Sequence, residues 1–193
     1  MAYGFYFNMK RCTGCRACQV ACQDRNDLPV GLAARKVTSY VSGTYPNAMP
    51  YHFSAGCNHC ENPACVEACP TGACQKAEDG TVFRDADVCI GCGSCATACP
   101  YGHPMVDEEA KVAVRCDSCK AFRDNGQNPV CVDACQYRAL EFGDLDELRT
   151  KHADAGELAN EIPCLPSADE TGPSLLINAK EAALNADFAE WIM

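Results

Sequence analysis

The chain contains no apolar run approaching the length of about 20 residues that spans a bilayer, so no direct membrane insertion is expected. Its first residues, Met1 to Asn8, lack the basic start and long apolar stretch of a secretory signal. A disulfide scaffold of the secreted kind therefore has little support. There is no glycine-rich phosphate loop and no nucleophile motif, which leaves nucleotide hydrolysis and covalent catalysis without residues to perform them. Positive charge is also in deficit: 16 Lys and Arg face 26 Asp and Glu, a net charge of −10. Nucleic-acid binding is excluded on that balance. The deficit is uneven, since residues 141–193 hold 3 basic and 12 acidic side chains while the rest is near neutral.

What the chain does have is cysteine, 18 in 193 residues, far above ordinary usage, so cysteine chemistry decides the class. The clearest run is Cys89, Cys92, Cys95 and Cys99 followed by Pro100. Three cysteines at i, i+3 and i+6, a fourth after three more residues and then proline form the bacterial ferredoxin run for a [4Fe–4S] cube. A cube offers four irons at tetrahedral corners. One tight loop wraps three of them, with Gly91 and Gly93 relieving crowding near the sulfides. The fourth cysteine points away and caps a different cube, so such runs work in pairs. Single zinc ions favour separated Cys-x-x-Cys pairs, and triplets suit a cube better.

Three further runs follow the same rule. The first is Cys12, Cys15, Cys18 and Cys22. The second is Cys57, Cys60, Cys65 and Cys69, its third gap widened to four residues. The fourth is Cys116 and Cys119, an eleven-residue excursion, then Cys131 and Cys135. Together they make an internal repeat of metal ligands. Runs two and three end in Cys-Pro (Pro70, Pro100), and runs one and four end in Cys-Gln (Gln23, Gln136). That match favours nested pairing, one with four and two with three; sequential pairing is the alternative. Nesting gives four ligand sets for iron: Cys12, Cys15, Cys18 and Cys135; Cys57, Cys60, Cys65 and Cys99; Cys89, Cys92, Cys95 and Cys69; Cys116, Cys119, Cys131 and Cys22. Cys74 and Cys164 are left over and read as unligated thiols. His52, His59, His103 and His152 are not needed as ligands, and His59 is expected to pack or hydrogen-bond beside a cluster and tune it. With sixteen thiolates and four oxidised cores the cysteine-rich body carries roughly −9, offset locally by Lys10, Arg11, Arg16, Arg115, Lys120, Arg123 and Arg138.

Between the runs the pattern is α+β, with short strands, short helices and long loops. Strands are expected at Tyr3 to Phe7, Arg35 to Val41 and Ala139 to Phe142, a helix at Ala17 to Asp24, and a turn-rich connection over 42–50. Thr71 to Phe83 reads as a hairpin turning at Glu78, Asp79 and Gly80, and Met105 to Val114 as two short strands. Asp144 to Glu147 resembles a capping box that starts a helix running to about Asp154, with Gly156 near its end. Residues 162–173, rich in proline, read as an extended linker. Leu184, Phe188, Trp191 and Ile192 fall at helical spacing, predicting a final helix over Glu181 to Met193. That helix either packs on its own domain or serves as a partner-docking arm.

A cube held by four thiolates has no open site for substrate, so four in one small chain make a relay for single electrons, with no catalytic residues of its own. The order of the runs, with the stretches Arg11 to Cys15, Cys57 to Cys65, Asp87 to Cys92, Ala98 to Gly102 and Phe142 to Arg149, resembles the four-cluster iron–sulfur subunits of the molybdopterin oxidoreductase (dimethyl sulfoxide reductase) family. The resemblance covers roughly residues 3–152. It implies two interlocked bacterial-type 2[4Fe–4S] ferredoxin-like units, an outer one from 1–50 and 103–143 and an inner one from 51–102, with 144–193 as a C-terminal extension. It implies four [4Fe–4S] clusters with nested ligands, because Cys92 stands where some relatives have a tryptophan and a three-iron cluster. It implies a large catalytic partner with a molybdenum or tungsten bis-pterin centre, and either a membrane quinol-oxidising subunit or a soluble electron donor. The complex then sits on the outer face of the cytoplasmic membrane, exported through the partner's twin-arginine signal, or in the cytoplasm. The alternative is a polyferredoxin-type carrier of a hydrogenase or formate-linked complex.

Overall fold

A computed structural model describes residues 2–191. In chain order the elements are β1 (Tyr3–Asn8), α1 (Ala17–Arg25), β2 (Arg35–Ser42), β3 (Met49–Gly56), α2 (Ala64–Glu67), β4 (Cys74–Lys76), β5 (Val82–Arg84) and α3 (Ser94–Ala98). The second half continues with β6 (Met105–Asp107), β7 (Val112–Val114), α4 (Lys120–Arg123), α5 (Val130–Asp133), β8 (Leu140–Asp144), α6 (Leu145–Lys151), β9 (Leu175–Asn178) and β10 (Phe188–Glu190). The class is α+β, as the composition of short elements predicts.

Phe5, Tyr6 and Phe7 in β1 are all buried, on both faces of the strand. The reason is its place at the centre of a sheet in the order β8–β1–β9, antiparallel to β8 and parallel to β9. A second sheet runs β10–β2–β3, and β4–β5 and β6–β7 are antiparallel hairpins at the expected turns.

The helices α1, α2, α3 and α5 repeat one design. Each carries the third cysteine of a run on its buried side (Cys18, Cys65, Cys95, Cys131) and holds or ends just before the fourth. At four to nine residues they are too short to persist alone, so packing must hold them. α1 packs against α5 and α2 against α3.

Two sequence expectations, the linker and the final helix, give way to the fold, and two strands form where none was expected. Residues 49–56 form strand β3, which takes the last two residues of the turn-rich stretch over 42–50. Pro50, which has no N–H to donate, is tolerated because β3 lies at a sheet edge. The stretch 162–173 is no linker: it straps the second cysteine run. Glu61 N–H donates to the Gly172 carbonyl at 2.7 Å, and Asn62 N–H to the Thr171 carbonyl at 3.0 Å. The loop's backbone donors need partners, and this strap supplies them. Next, Leu175 to Asn178 make β9, whose four residues are all buried. Lastly, the final helix is absent among the described residues. One 3-10 turn at Glu181–Leu184 precedes β10, which pairs with β2. The open edge of β2 takes up that segment, with Trp191 N–H donating to the Ser39 carbonyl at 2.8 Å. Ile192 lies outside the described residues.

The helix after Asp144 forms as its cap predicts. The Asp144 carboxylate accepts the N–H groups of Asp146 at 3.0 Å and Glu147 at 3.2 Å. Helix α6 itself ends at Lys151, a 3-10 turn follows, and Gly156 closes the segment at φ 83°. Among the described residues no helix is long and apolar enough to cross a membrane.

Candidate iron–sulfur sites

In every run the residue just before the second cysteine takes the left-handed backbone conformation. These are Gly14 (φ 71°), His59 (φ 46°), Gly91 (φ 64°) and Ser118 (φ 55°). For His59 and Ser118 this costs about 1–3 kcal/mol each, a strain tolerated where a loop must wrap something. The shared turn curls each loop, and two sets of sulfurs line hollows.

Cys12, Cys15, Cys18 and Cys135 line one such hollow, walled by Phe7, Val37 and Leu140. Cys69, Cys89, Cys92 and Cys95 line another. Cys57, Cys65 and Cys99 lie close enough to Cys60 to raise its thiol electrostatically, and Cys131 and Cys119 do the same to Cys22. Cysteines of runs one and four therefore lie near one another, as do those of runs two and three.

All 18 cysteines are free thiols, so the disulfide reading is excluded. Among the described residues no three His, Cys, Asp or Glu side chains converge on a point that could hold one metal ion. A tetrahedral zinc would draw four sulfurs to about 3.8 Å from one another. Sulfurs spaced around a hollow suit a cube instead.

Donors surround these sulfurs. Ser118 N–H reaches Cys116 Sγ at 3.3 Å, Ala139 N–H reaches Cys135 Sγ at 3.2 Å, and Ala113 N–H reaches Cys89 Sγ at 3.4 Å. Thr171 Oγ1 donates to Cys60 Sγ at 3.2 Å, and Ser54 Oγ shares a hydrogen bond with Cys18 Sγ at 3.3 Å. Arg115 donates through Nη2 to Cys57 Sγ at 3.2 Å and through Nη1 to Cys65 Sγ at 3.6 Å. Burial pushes the Cys22 and Cys60 thiols up to about 11. Burial acts on Cys57 in the same direction, but His59 and Arg115 outweigh it and hold that thiol at about 6. Loading iron therefore releases protons, those that burial holds on Cys22 and Cys60 among them.

His59 is fully buried, and its Nδ1 accepts the Val82 N–H at 2.9 Å. That bond leaves Nε2 to carry the ring proton beside the Cys57 and Cys116 sulfurs, matching the tuning position expected of it. The other histidines serve the fold. His52 shares a hydrogen bond with Ser39 and its ring covers Gly14, where a Cβ would lie 2.6 Å from Nδ1. His103 stacks on Tyr101, and His152 stacks on Tyr6. Cys164 packs with Tyr40 and Tyr51, away from every set. Cys74 is buried at the edge of the hollow lined by Cys69, Cys89, Cys92 and Cys95, and its N–H donates to Cys69 Sγ at 3.4 Å.

Thr171 and Ser54 are the donors that the sequence hid. Thr171 stands 111 positions from Cys60 in a stretch whose prolines read as a spacer, and nothing local marks it. Replacing it by valine keeps the shape and removes one donor to sulfur. Thr171→Val is expected to lower the potential of the cluster that Cys60 serves while leaving iron content unchanged, as checked by a potentiometric titration followed by electron paramagnetic resonance.

Comparison with known proteins agrees with this geometry. A family described as "4Fe-4S dicluster domain" matches residues 48–145, and a "4Fe-4S binding domain" matches residues 9–27. The chain is 44% identical over 183 residues to the B subunit of the anaerobic dimethyl sulfoxide reductase of Escherichia coli (strain K12), covering 91% of this chain and 87% of the relative. It is 42% identical over 195 residues to the protein of the same name from Haemophilus influenzae, covering 96% and 93%. It is also 42% identical over 149 residues to "Thiosulfate reductase electron transfer subunit PhsB" of Salmonella typhi, covering 75% and 77%. Two matched domains and 18 cysteines fit four [4Fe–4S] clusters, and the chain belongs to the family of iron–sulfur electron-transfer subunits that includes the B subunit of dimethyl sulfoxide reductase.

Proposed function

We propose that the sixteen cysteines of the four runs hold the clusters in nested sets, with Cys12, Cys15, Cys18 and Cys135 at one and Cys116, Cys119, Cys131 and Cys22 at its twin. Cys57, Cys60, Cys65 and Cys99 hold a third, and Cys89, Cys92, Cys95 and Cys69 a fourth. The packing of α1 on α5 and of α2 on α3 carries this reading, because each helix pair brings the fourth cysteine of one run toward the loop of the other. The outer unit then comprises 1–50 and 103–143, and the inner unit 51–102.

When bound, each cluster accepts and returns one electron, its irons having no vacant site for substrate. The chain's own part is to bind, orient and shield. Cys18, Cys65, Cys95 and Cys131 are buried, while Cys15 and Cys92 are exposed, so electrons have an edge of the protein at which to enter or leave. Arg16 is exposed and lies between Cys15 and Cys18. Arg16→Ser is expected to lower the potential of that cluster by an amount that shrinks as salt is raised, since surface charge is screened within about 8–10 Å in physiological buffer. A titration at two ionic strengths checks it.

The protein is a relay without a catalytic site, serving a large subunit that holds a molybdenum or tungsten bis-pterin centre. The names of its relatives, subunits of reductases and an electron transfer subunit, support that role. A membrane quinol-oxidising subunit or a soluble donor completes the path, on the outer face of the cytoplasmic membrane or in the cytoplasm. Purification of the intact complex from its native source is the test. A large subunit containing molybdenum or tungsten is expected, and one containing nickel would assign the relay to a hydrogenase instead.

A further inference from the structure

Among the described residues Arg35 is the largest buried side chain, at 2% exposed. It opens β2 opposite Gly56, where a Cβ would lie 3.0 Å from Arg35 Nη2. Its Nη1 donates to the Ser54 carbonyl at 3.0 Å and to Ser54 Oγ at 3.1 Å, and its guanidinium carbon lies 4.3 Å from the centre of the Phe5 ring. Nε and Nη2 have no partner among the described residues, and no carboxylate lies within ion-pair range there. A buried guanidinium with idle donors and no counter-ion is costly unless something negative faces it.

What faces it is sulfur. Burial works against the charged form of Arg35, and the sulfurs of Cys131, Cys116, Cys18 and Cys22 lie near enough to offset that once ionised. Ser54 links the guanidinium directly to Cys18 Sγ. Cys18 belongs to the first set, and Cys22, Cys116 and Cys131 to its twin. Arg115 stands in the same relation to the inner pair. It is 8% exposed, donates to Cys57 and Cys65, leaves Nε idle, and acts on Cys95 across the pair.

We propose that Arg35 is a positioning residue shared by the two outer clusters, one fixed counter-charge that holds both potentials up together, as Arg115 does for the inner two. The proposal rests on the nested assignment of the cysteines. Each cluster becomes more negative on reduction, so an unscreened cation beside it favours the reduced state. Unlike that of Arg16, the effect of a guanidinium inside the protein is screened much less by salt.

The test uses the intact complex, purified anaerobically and titrated potentiometrically with each paramagnetic signal followed separately. Arg35→Met is expected to shift two of the four signals to lower potential with iron content unchanged, and Arg35→Lys to restore part of the shift. Arg115→Met is expected to shift the other two. Should the methionine variant lose iron, Arg35→Gln, which keeps donors without charge, carries the same expectation. Four unmoved signals, or an equal shift of all four, would overturn the role of Arg35. A signal displaced in both variants would overturn the nested assignment instead, because sequential pairing places Cys22 on the cluster of Cys57.

Discussion

Deleting residues 174–193 is expected to yield a chain that neither folds nor retains iron. The segment removed includes β9, where Leu175, Leu176 and Ile177 are 6%, 1% and 0% exposed. Burying such a side chain is worth about 1.5–3 kcal/mol, so the three together contribute roughly 5–9 kcal/mol. Small domains have only about 5–15 kcal/mol of net stability. The loss does not end there. Without β9, one whole edge of β1 is left unpaired, and β1 is the strand on which β8 also depends. Ser174 would go too, and with it the bond from its N–H to the Asn58 carbonyl inside the second cysteine run. Soluble yield, far-ultraviolet circular dichroism and iron content read the outcome. A truncated chain that stays soluble with full iron would show that β9 is an accessory to the fold.

A single methyl group is expected to do nearly as much local damage. At Gly91 the backbone has φ 64°, and a Cβ would lie 2.5 Å from both the carbonyl carbon and the oxygen of Lys111. Those are backbone atoms in the turn between β6 and β7, where Lys111 is itself left-handed, so neither side can yield by rotating a side chain. Overpacking of this kind costs about 1–3 kcal/mol, and the left-handed conformation adds about 1–2 kcal/mol for any residue with a Cβ. The loop carrying Cys89 and Cys92 must then move. Gly91→Ala is expected to remove the cluster held there, a fall of about four iron ions per chain. Gly93 is the control. Its φ is 78°, but its Cβ would lie 3.6 Å from Val106 Cγ2, an ordinary contact. Gly93→Ala is expected to cost about 1 kcal/mol and keep all its iron. Equal iron in the two variants would contradict the crowding argument.

The comparison of these glycines shows what the sequence conveys. Spacing alone points to the proposed ligands, because a cube dictates the spacing and the chain has little freedom around it. The same holds for the hairpin turn at Asp79 and Gly80 and for the Asp144 cap, where one or two residues determine the local geometry. Gly91 was legible as a point of crowding, yet the crowding comes from Lys111, twenty positions away, and not only from sulfides. The tail was not legible. Leu175 to Asn178 is a short apolar run that becomes a strand only because β1 has a free edge, and Phe188 to Glu190 is a strand only because β2 has one. Long-range pairing overrode the helical spacing of Leu184, Phe188 and Trp191. Thr171 and Arg35 were invisible for the same reason: each matters through partners brought near by the fold, and neither sits in a motif.

The central claim is that the repeated thiols hold four cubes. Anaerobic purification followed by iron and acid-labile sulfide analysis tests it most directly. The account predicts about sixteen of each per chain and a brown colour that bleaches with dithionite. A folded, colourless protein that contains zinc, or no metal at all, would contradict it.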